Sequence, residues 1–219
     1  MDFDNALDLF ERTLATERSR PDVHTAMLAL ALPDTIGTAS TQIQQARARG
    51  ERVWMTADLH LCHANVIRYC NRPFANVTQM NKHLVSQTQK IGDGEWLVIV
   101  GDVAMGEHQL AMEWIRRIPG RKVLVLGNHD LTRSGECRYL AERALDGQRP
   151  LFDAVLPFLA SKDELGQSVF VSHYPATVDH SFGRLLNYHG HLHREVLEPT
   201  ETTHFVNVGW DVTQGLVCL

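Results

Sequence analysis

The chain has 219 residues, 44% of them hydrophobic and 21% charged, with a net charge of -5 and four cysteines. That length buries a full core without cross-links, and the acidic balance argues against a protein that grips nucleic acid through a broadly basic surface. Cys62, Cys70, Cys137 and Cys218 form no CxxC pair, which reads as reduced thiols in a cytoplasmic setting. The first residues lack the basic flank and apolar run of a signal peptide, and no later stretch approaches the roughly 18 apolar residues of a membrane span.

Residues 1–50 read as helical. Phe3, Leu7, Phe10 and Leu14 recur at helical spacing behind Asp2 or Asp4 as caps, and Pro21 and Pro33 divide the region into short pieces. A further helix over residues 41–49 ends at Gly50, which suits a left-handed cap. An N-terminal helical appendage at 1–50, packed on a main domain at 51–219, is the expected organisation. A regulatory lid and an oligomer interface are the other readings of that appendage, and a homo-oligomer stays open.

From Arg52 the pattern changes to short apolar runs, each followed by a polar turn. Residues 53–57, 96–100 and 123–126 read as buried strands of an α/β sheet, with helices at 77–89 and 107–117 between them. The chain then turns strand-rich, at 169–172, 185–189, 205–208 and 216–219.

Metal-competent side chains follow these strands directly. Asp58 and His60 follow the first strand, Asp102 the second, and Asn128, His129 and Asp130 the third; His173, then His191 and His193, come from the strand-rich half. In an open α/β sheet such residues gather at the carboxyl ends of the strands, where ligands bind. Residues two apart on an extended chain project to one side, so the DxH and HxH pairs are each expected to chelate. Imidazole, carboxylate and amide oxygen without thiolate suit two divalent ions, Mn foremost, with Fe, Zn, Ni or Co as alternatives.

Five blocks, Asp58-Leu59-His60, Gly101-Asp102, Gly127-Asn128-His129-Asp130, His173 and Gly190-His191-Leu192-His193, stand in an order that resembles the calcineurin-like metallophosphoesterase superfamily. The resemblance runs from about residue 52 to about 209. It implies an α/β (α+β) fold, a four-layer α-β-β-α sandwich of two mixed sheets. It also implies one ion on Asp58, His60 and His193, another on Asn128, His173 and His191, and Asp102 bridging both. Two ions so placed activate water for in-line attack at phosphorus. His129 matches the family's phosphate-contacting histidine, and Asp130 is expected to orient it.

The stretch from His63 to Phe74 looks similar to a bacterial and phage subgroup of that superfamily, which makes His63, Asn65, Arg68 and Arg72 candidates to touch substrate. The block after Asp102 continues Val103-Ala104-Met105 and lacks the further acidic residue many members carry. His24, His83, His108, His180 and His204 belong to no block and read as ordinary polar residues. The metal core is common to phosphodiesterases, phosphomonoesterases and nucleases. Small size and the lack of a basic face favour a diesterase acting on a small, nucleotide-like ester over one that binds duplex nucleic acid, and a non-catalytic metal-binding scaffold is the rival from another class.

Overall fold

Helices open the chain because its first residues carry the chemistry to start them. In the structure, a computed structural model that describes residues 1–17 and 21–219, the Asp2 carboxylate accepts the Asn5 N–H at 2.9 Å and caps α1 (Phe3–Thr16). Pro21 and Pro33 stand first in α2 (Pro21–Ala29) and α3 (Pro33–Ala48), where a missing N–H has no helical partner to lose. So α3 begins at Pro33 rather than at residue 41, proline serving there as an initiator. Gly50 closes the region in the left-handed conformation, at φ +75°.

The apolar runs form two mixed sheets. β1 (Val53–Thr56), β2 (Trp96–Val100) and β3 (Arg121–Val125) pair in parallel and are almost wholly buried. β4 (Ala154–Leu156) extends them in parallel on one edge and β9 (Val217–Cys218) antiparallel on the other, giving the order β4-β3-β2-β1-β9. β5 (Phe158–Lys162), β6 (Ser168–Ser172), β7 (Leu185–His189) and β8 (Thr203–Asn207) make the second sheet in chain order, with only β5 antiparallel to its neighbour.

Two strands, β4 and β5, went unread in the sequence. Pro157 splits one apolar run between them and sends its halves to different sheets, at an edge of each, where a missing N–H is tolerated. Helices α4 (Ala64–Tyr69), α5 (Val77–Thr88) and α6 (His108–Ile115) connect the parallel strands, and α7 (Trp210–Thr213) follows β8. No described helix is long and apolar enough to cross a membrane.

One hydrophobic cluster runs from Ala6, Leu9 and Phe10 of α1 through Val98 and Val125 to Phe170 and Leu185. The N-terminal helices also cover the free edge of β5. Ser40 Oγ accepts the Ala160 N–H at 3.3 Å and Gln44 Nε2 donates to the Lys162 carbonyl at 3.1 Å, so backbone groups of that edge strand gain partners from α3. Phe158 ties α1 to the sheet, its ring centroid 5.2 Å from Phe10, 6.2 Å from Phe3 and 5.4 Å from Phe170. Phe158→Ala is expected to cost about 3–5 kcal/mol in urea unfolding of the metal-free protein, with one transition retained. A loss below about 1 kcal/mol would show that α1 lies outside the cooperative core.

Candidate metal centre

The loops that leave β1, β2, β3, β6 and β7 meet where the two sheets join. Backbone bonds continue past the strands: Asp58 N–H to the Gly101 carbonyl at 3.0 Å, His60 N–H to Asp102 at 2.9 Å, and Ala57 N–H to Val208 of the β8 loop at 3.1 Å. The i, i+2 pairs do converge, but not through extended chain. Asp58, His60, Asp102, His191 and His193 have φ of +55°, +49°, +55°, +66° and +50°. A left-handed non-glycine residue is strained by about 1–2 kcal/mol, so five of the seven expected ligands sit on backbone that the rest of the fold must hold.

Asp130 is one holder. Its carboxylate accepts Gly127 N–H at 2.8 Å, Asp102 N–H at 2.9 Å and Val103 N–H at 3.0 Å. Both its oxygens are engaged by the backbone of the two ligand loops, a role beyond the expected one toward His129. Burial, with Asp102 nearby, raises its pKa to about 7 despite those bonds. Two glycines permit the close approach. A Cβ on Gly127 would collide with the Asp102 carboxylate, and one on Gly101, whose φ is +83°, would collide with the His173 ring.

The Asp102 carboxylate lies between two imidazoles. Its Oδ2 is 3.5 Å from His60 Nε2 and 3.5 Å from His173 Nε2, with His129 Nε2 at 4.0 Å, while Oδ1 accepts the His129 backbone N–H at 2.8 Å. His173 Nδ1 donates to the Val100 carbonyl at 2.9 Å, which leaves Nε2 facing Asp102 as the nitrogen that can give up its proton to a cation. On the other flank, His193 Nδ1 donates to Asp211 Oδ2 at 2.8 Å, and Asp58 accepts the His191 N–H at 3.0 Å.

The donors suit cations. Both nitrogens of His60 and Nε2 of His173 are buried without a hydrogen-bond partner, a costly state unless another electrophile takes the lone pair. At 3.5 Å they are too far from Asp102 for a good hydrogen bond. Two donors 2.0–2.2 Å from a shared cation stand about 3.0–3.6 Å apart. Donor atoms of Asp58, His60 and His193, and likewise of Asp58, Asp102 and His173, lie within 4.8 Å of one another. Cys70, His193 and Asp211 make a third such group, but Asp211 is already held by Arg72 at 2.8 and 2.7 Å and by His193.

The charges follow from burial and neighbours. Burial pushes Asp58 up to about 6 and His191 down to about 4, and it lowers His60 strongly. Burial also opposes charge on Asp102, yet the adjacent imidazoles His173 and His60 hold its carboxyl well below the usual range. Against the same burial, the Asp102 charge lifts His173 to about 9, and the bond to Asp211 lifts His193 to about 10.

Of the candidate substrate contacts, His63 lies near the centre, half-buried with its ring 5.5 Å from that of His60. Asn65 and Arg68 are exposed on α4, with Arg68 over the Tyr69 ring. Arg72 is a correction. It is buried and donates to Asp211, to the Asp58 carbonyl at 2.7 Å and to the Leu59 carbonyl at 2.9 Å, so it braces the first ligand loop and does not face a substrate.

Asp211, unread in the sequence, completes the chain from Arg72 to His193 that fixes the histidine's tautomer. Its signal was there, a carboxylate just past Gly209 at the end of a strand. His108 bonds Glu142 at 2.8 Å and His180 lies 3.3 Å from Glu201, both ordinary. His24 is not: it packs edge-on against Tyr174, next to His173.

Two mixed sheets whose loops gather Asp and His donors around the buried Asp102 carboxylate make a metallophosphoesterase-like fold with a candidate metal site. A family model described as calcineurin-like phosphoesterase matches residues 51–213, and the chain belongs to that family. The Gene 66 protein of Mycobacterium phage D29 is 29% identical over 189 residues, covering 75% of this chain and 90% of the phage protein. The uncharacterized protein MJ1445 of Methanocaldococcus jannaschii is 35% identical over 82 residues, 36% of this chain and 47% of that protein, so the chain spans about half the length of this relative. The crystal structure of the protein of unknown function AQ665 from Aquifex aeolicus matches with a TM-score of 0.53 at 18% identity, over 77% of this chain and 95% of that one, a likeness of fold alone.

Two outcomes test this geometry. Asp130→Ala would leave three buried N–H groups unpaired and is expected to cost about 3 kcal/mol or more in denaturant unfolding, with metal affinity falling alongside; Asp130→Ala at wild-type stability would refute the bracing role. Metal-free His173 and His193 carry protons at pH 7, because their pKa values are raised to about 9 and about 10. A cation needs those lone pairs, so metal uptake at pH 7 should expel roughly two protons and weaken as pH falls. Calorimetry in buffers of different ionisation enthalpy measures this; uptake with no proton release would contradict it.

Proposed function

We propose that this chain is a dinuclear metal-dependent phosphoester hydrolase, a diesterase acting on a small, nucleotide-like ester. The observation that carries the reading is the Asp102 carboxylate with a buried, unpartnered imidazole nitrogen 3.5 Å away on each of two histidines. In this reading Asp58, His60 and His193 hold one ion, Asn128, His173 and His191 the other, and Asp102 both. Hard oxygen and borderline nitrogen donors favour Mn, with Fe, Zn, Ni or Co able to substitute. The catalytic unit is residues 51–219, with 1–50 an appendage packed on it, and the four free cysteines fit a cytoplasmic setting.

Two bound divalent cations supply Lewis acidity toward a phosphoryl oxygen and an acidified water as nucleophile. The residues do the rest. His129 is part-exposed, its backbone is pinned to Asp102 and its Nε2 lies 4.0 Å from the Asp102 carboxylate, which supports a place for its ring beside a bound phosphoryl group. There it donates a hydrogen bond to the phosphoryl oxygen as charge builds and passes a proton to the leaving oxygen. His63, beside His60, borders the space for the leaving group. Asp211, charged and with its pKa held near 2 by His193 and Arg72 against burial, keeps His193 Nε2 turned inward.

The test uses purified protein loaded with Mn, Ni, Zn or Mg on bis-p-nitrophenyl phosphate and p-nitrophenyl phosphate. Asp102→Ala should abolish turnover and metal binding together. His129→Ala should keep both ions and lose about 10²–10⁴ in kcat. Preference for the diester supports the diesterase reading, and preference for the monoester replaces it with a phosphomonoesterase. Two bound ions with no hydrolysis of either ester would favour the scaffold.

A further inference from the structure

A carboxylate from outside the family-matched segment reaches the centre. Glu17 is the residue at which α1 ends, its backbone N–H bonding the Leu14 carbonyl at 3.1 Å. Its Oε2 lies 3.6 Å from His191 Nε2, and the side chain is 23% exposed. Among the described residues no Lys or Arg pairs with it.

The distance is informative. At 3.6 Å it exceeds a good hydrogen bond but matches the 3.5 Å that separates Asp102 from His60 and from His173. All three fall near the spacing of about 3.0–3.6 Å expected of two donors on one cation. Glu17 follows a helix that is docked on the sheet. Phe3 and Phe10 lock α1 onto Phe158, and Leu14, one turn before Glu17, is buried in the core. The same flank is walled by aromatic contacts: His24 of α2 on Tyr174, and Tyr174 on the His191 ring at 4.7 Å.

We propose that Glu17 is a further metal ligand, a carboxylate that the N-terminal helices contribute to the ion held by His173 and His191. This rests on the two-ion reading above. An eighth donor from outside the five blocks would make the affinity of that ion depend on the docking of α1, and the sequence blocks alone would undercount its coordination.

The full-length metal-free protein, Glu17→Ala, Glu17→Gln and His60→Ala are titrated with Mn alone by calorimetry, and bound metal is counted by mass spectrometry. Wild type should take up two ions. Both Glu17 variants should bind one of them at least roughly tenfold more weakly, the scale on which even outer partners of a metal site matter. His60→Ala should weaken the other ion instead. Glu17→Gln keeps the size of the side chain at the helix end, so an unchanged metal-free melting temperature separates lost ligation from lost packing. Two ions bound with wild-type affinity in both Glu17 variants would overturn the assignment and leave the two-ion centre standing, whereas wild type that takes up no Mn would overturn the centre itself.

Discussion

A carboxylate that is 3% exposed and keeps its charge is the constraint the rest of this structure answers to. Burying an isolated anion costs several kcal/mol, so Asp102 is tenable only if compensating charge or polar groups are brought to it. The fold does this with loops from both sheets: His60 from the β1 loop, His173 from the end of β6, and the His129 backbone N–H from the β3 loop. Two imidazoles at 3.5 Å partly answer the charge, and cations in the same space would answer it fully. The join between the two sheets is therefore held by electrostatics as well as by apolar packing.

Gathering donors so tightly forces the backbone into conformations it would otherwise avoid. Five expected ligands have positive φ, and strain of that kind persists only where surrounding contacts over-determine it. Here three buried polar groups do so. Asp130 ties the Gly101-Asp102 and Gly127-Asn128 loops to each other through three N–H groups. Arg72 ties the Asp58 loop to Asp211 and so to His193. Asn207 grips the last histidine loop through the His193 and Glu195 carbonyls. Asp130 and Arg72, which looked like candidates for chemistry, and Asn207 each bond loop backbone and so hold a ligand loop in a strained shape.

The strand-end grammar made much of this legible. Apolar runs with a metal-competent residue immediately after them located the central strands to within a residue or two, and order along the chain was enough to suggest the family. Legibility failed where the physics is non-local. The strands on either side of Pro157 went unread, and only the existence of two sheets gives that proline its meaning as a crossing between them. Asp130 and Arg72 read as chemistry because residue type and neighbourhood in the chain say nothing about which partner a side chain finds. Asp211 obeyed the strand-end grammar but lay past the last recognised block. Nothing in the letters around Glu17 sets it apart from a solvated helix end, since its meaning depends on where α1 docks.

That docking changes how the first fifty residues are understood. Their helices supply partners to the free edge of β5, share one core with the sheets, and close the flank where Tyr174 meets His173 and His191. An edge strand left bare would invite pairing with another chain, and a metal site open on that flank would admit water to the buried imidazoles. One helical layer meets both needs because β5 follows β4 directly across Pro157 and runs antiparallel beside β6, the strand that ends in His173. Structural support and the wall of the site therefore cannot be separated by cutting the chain at Gly50: removing the helices would expose an edge strand and one flank of the donors together.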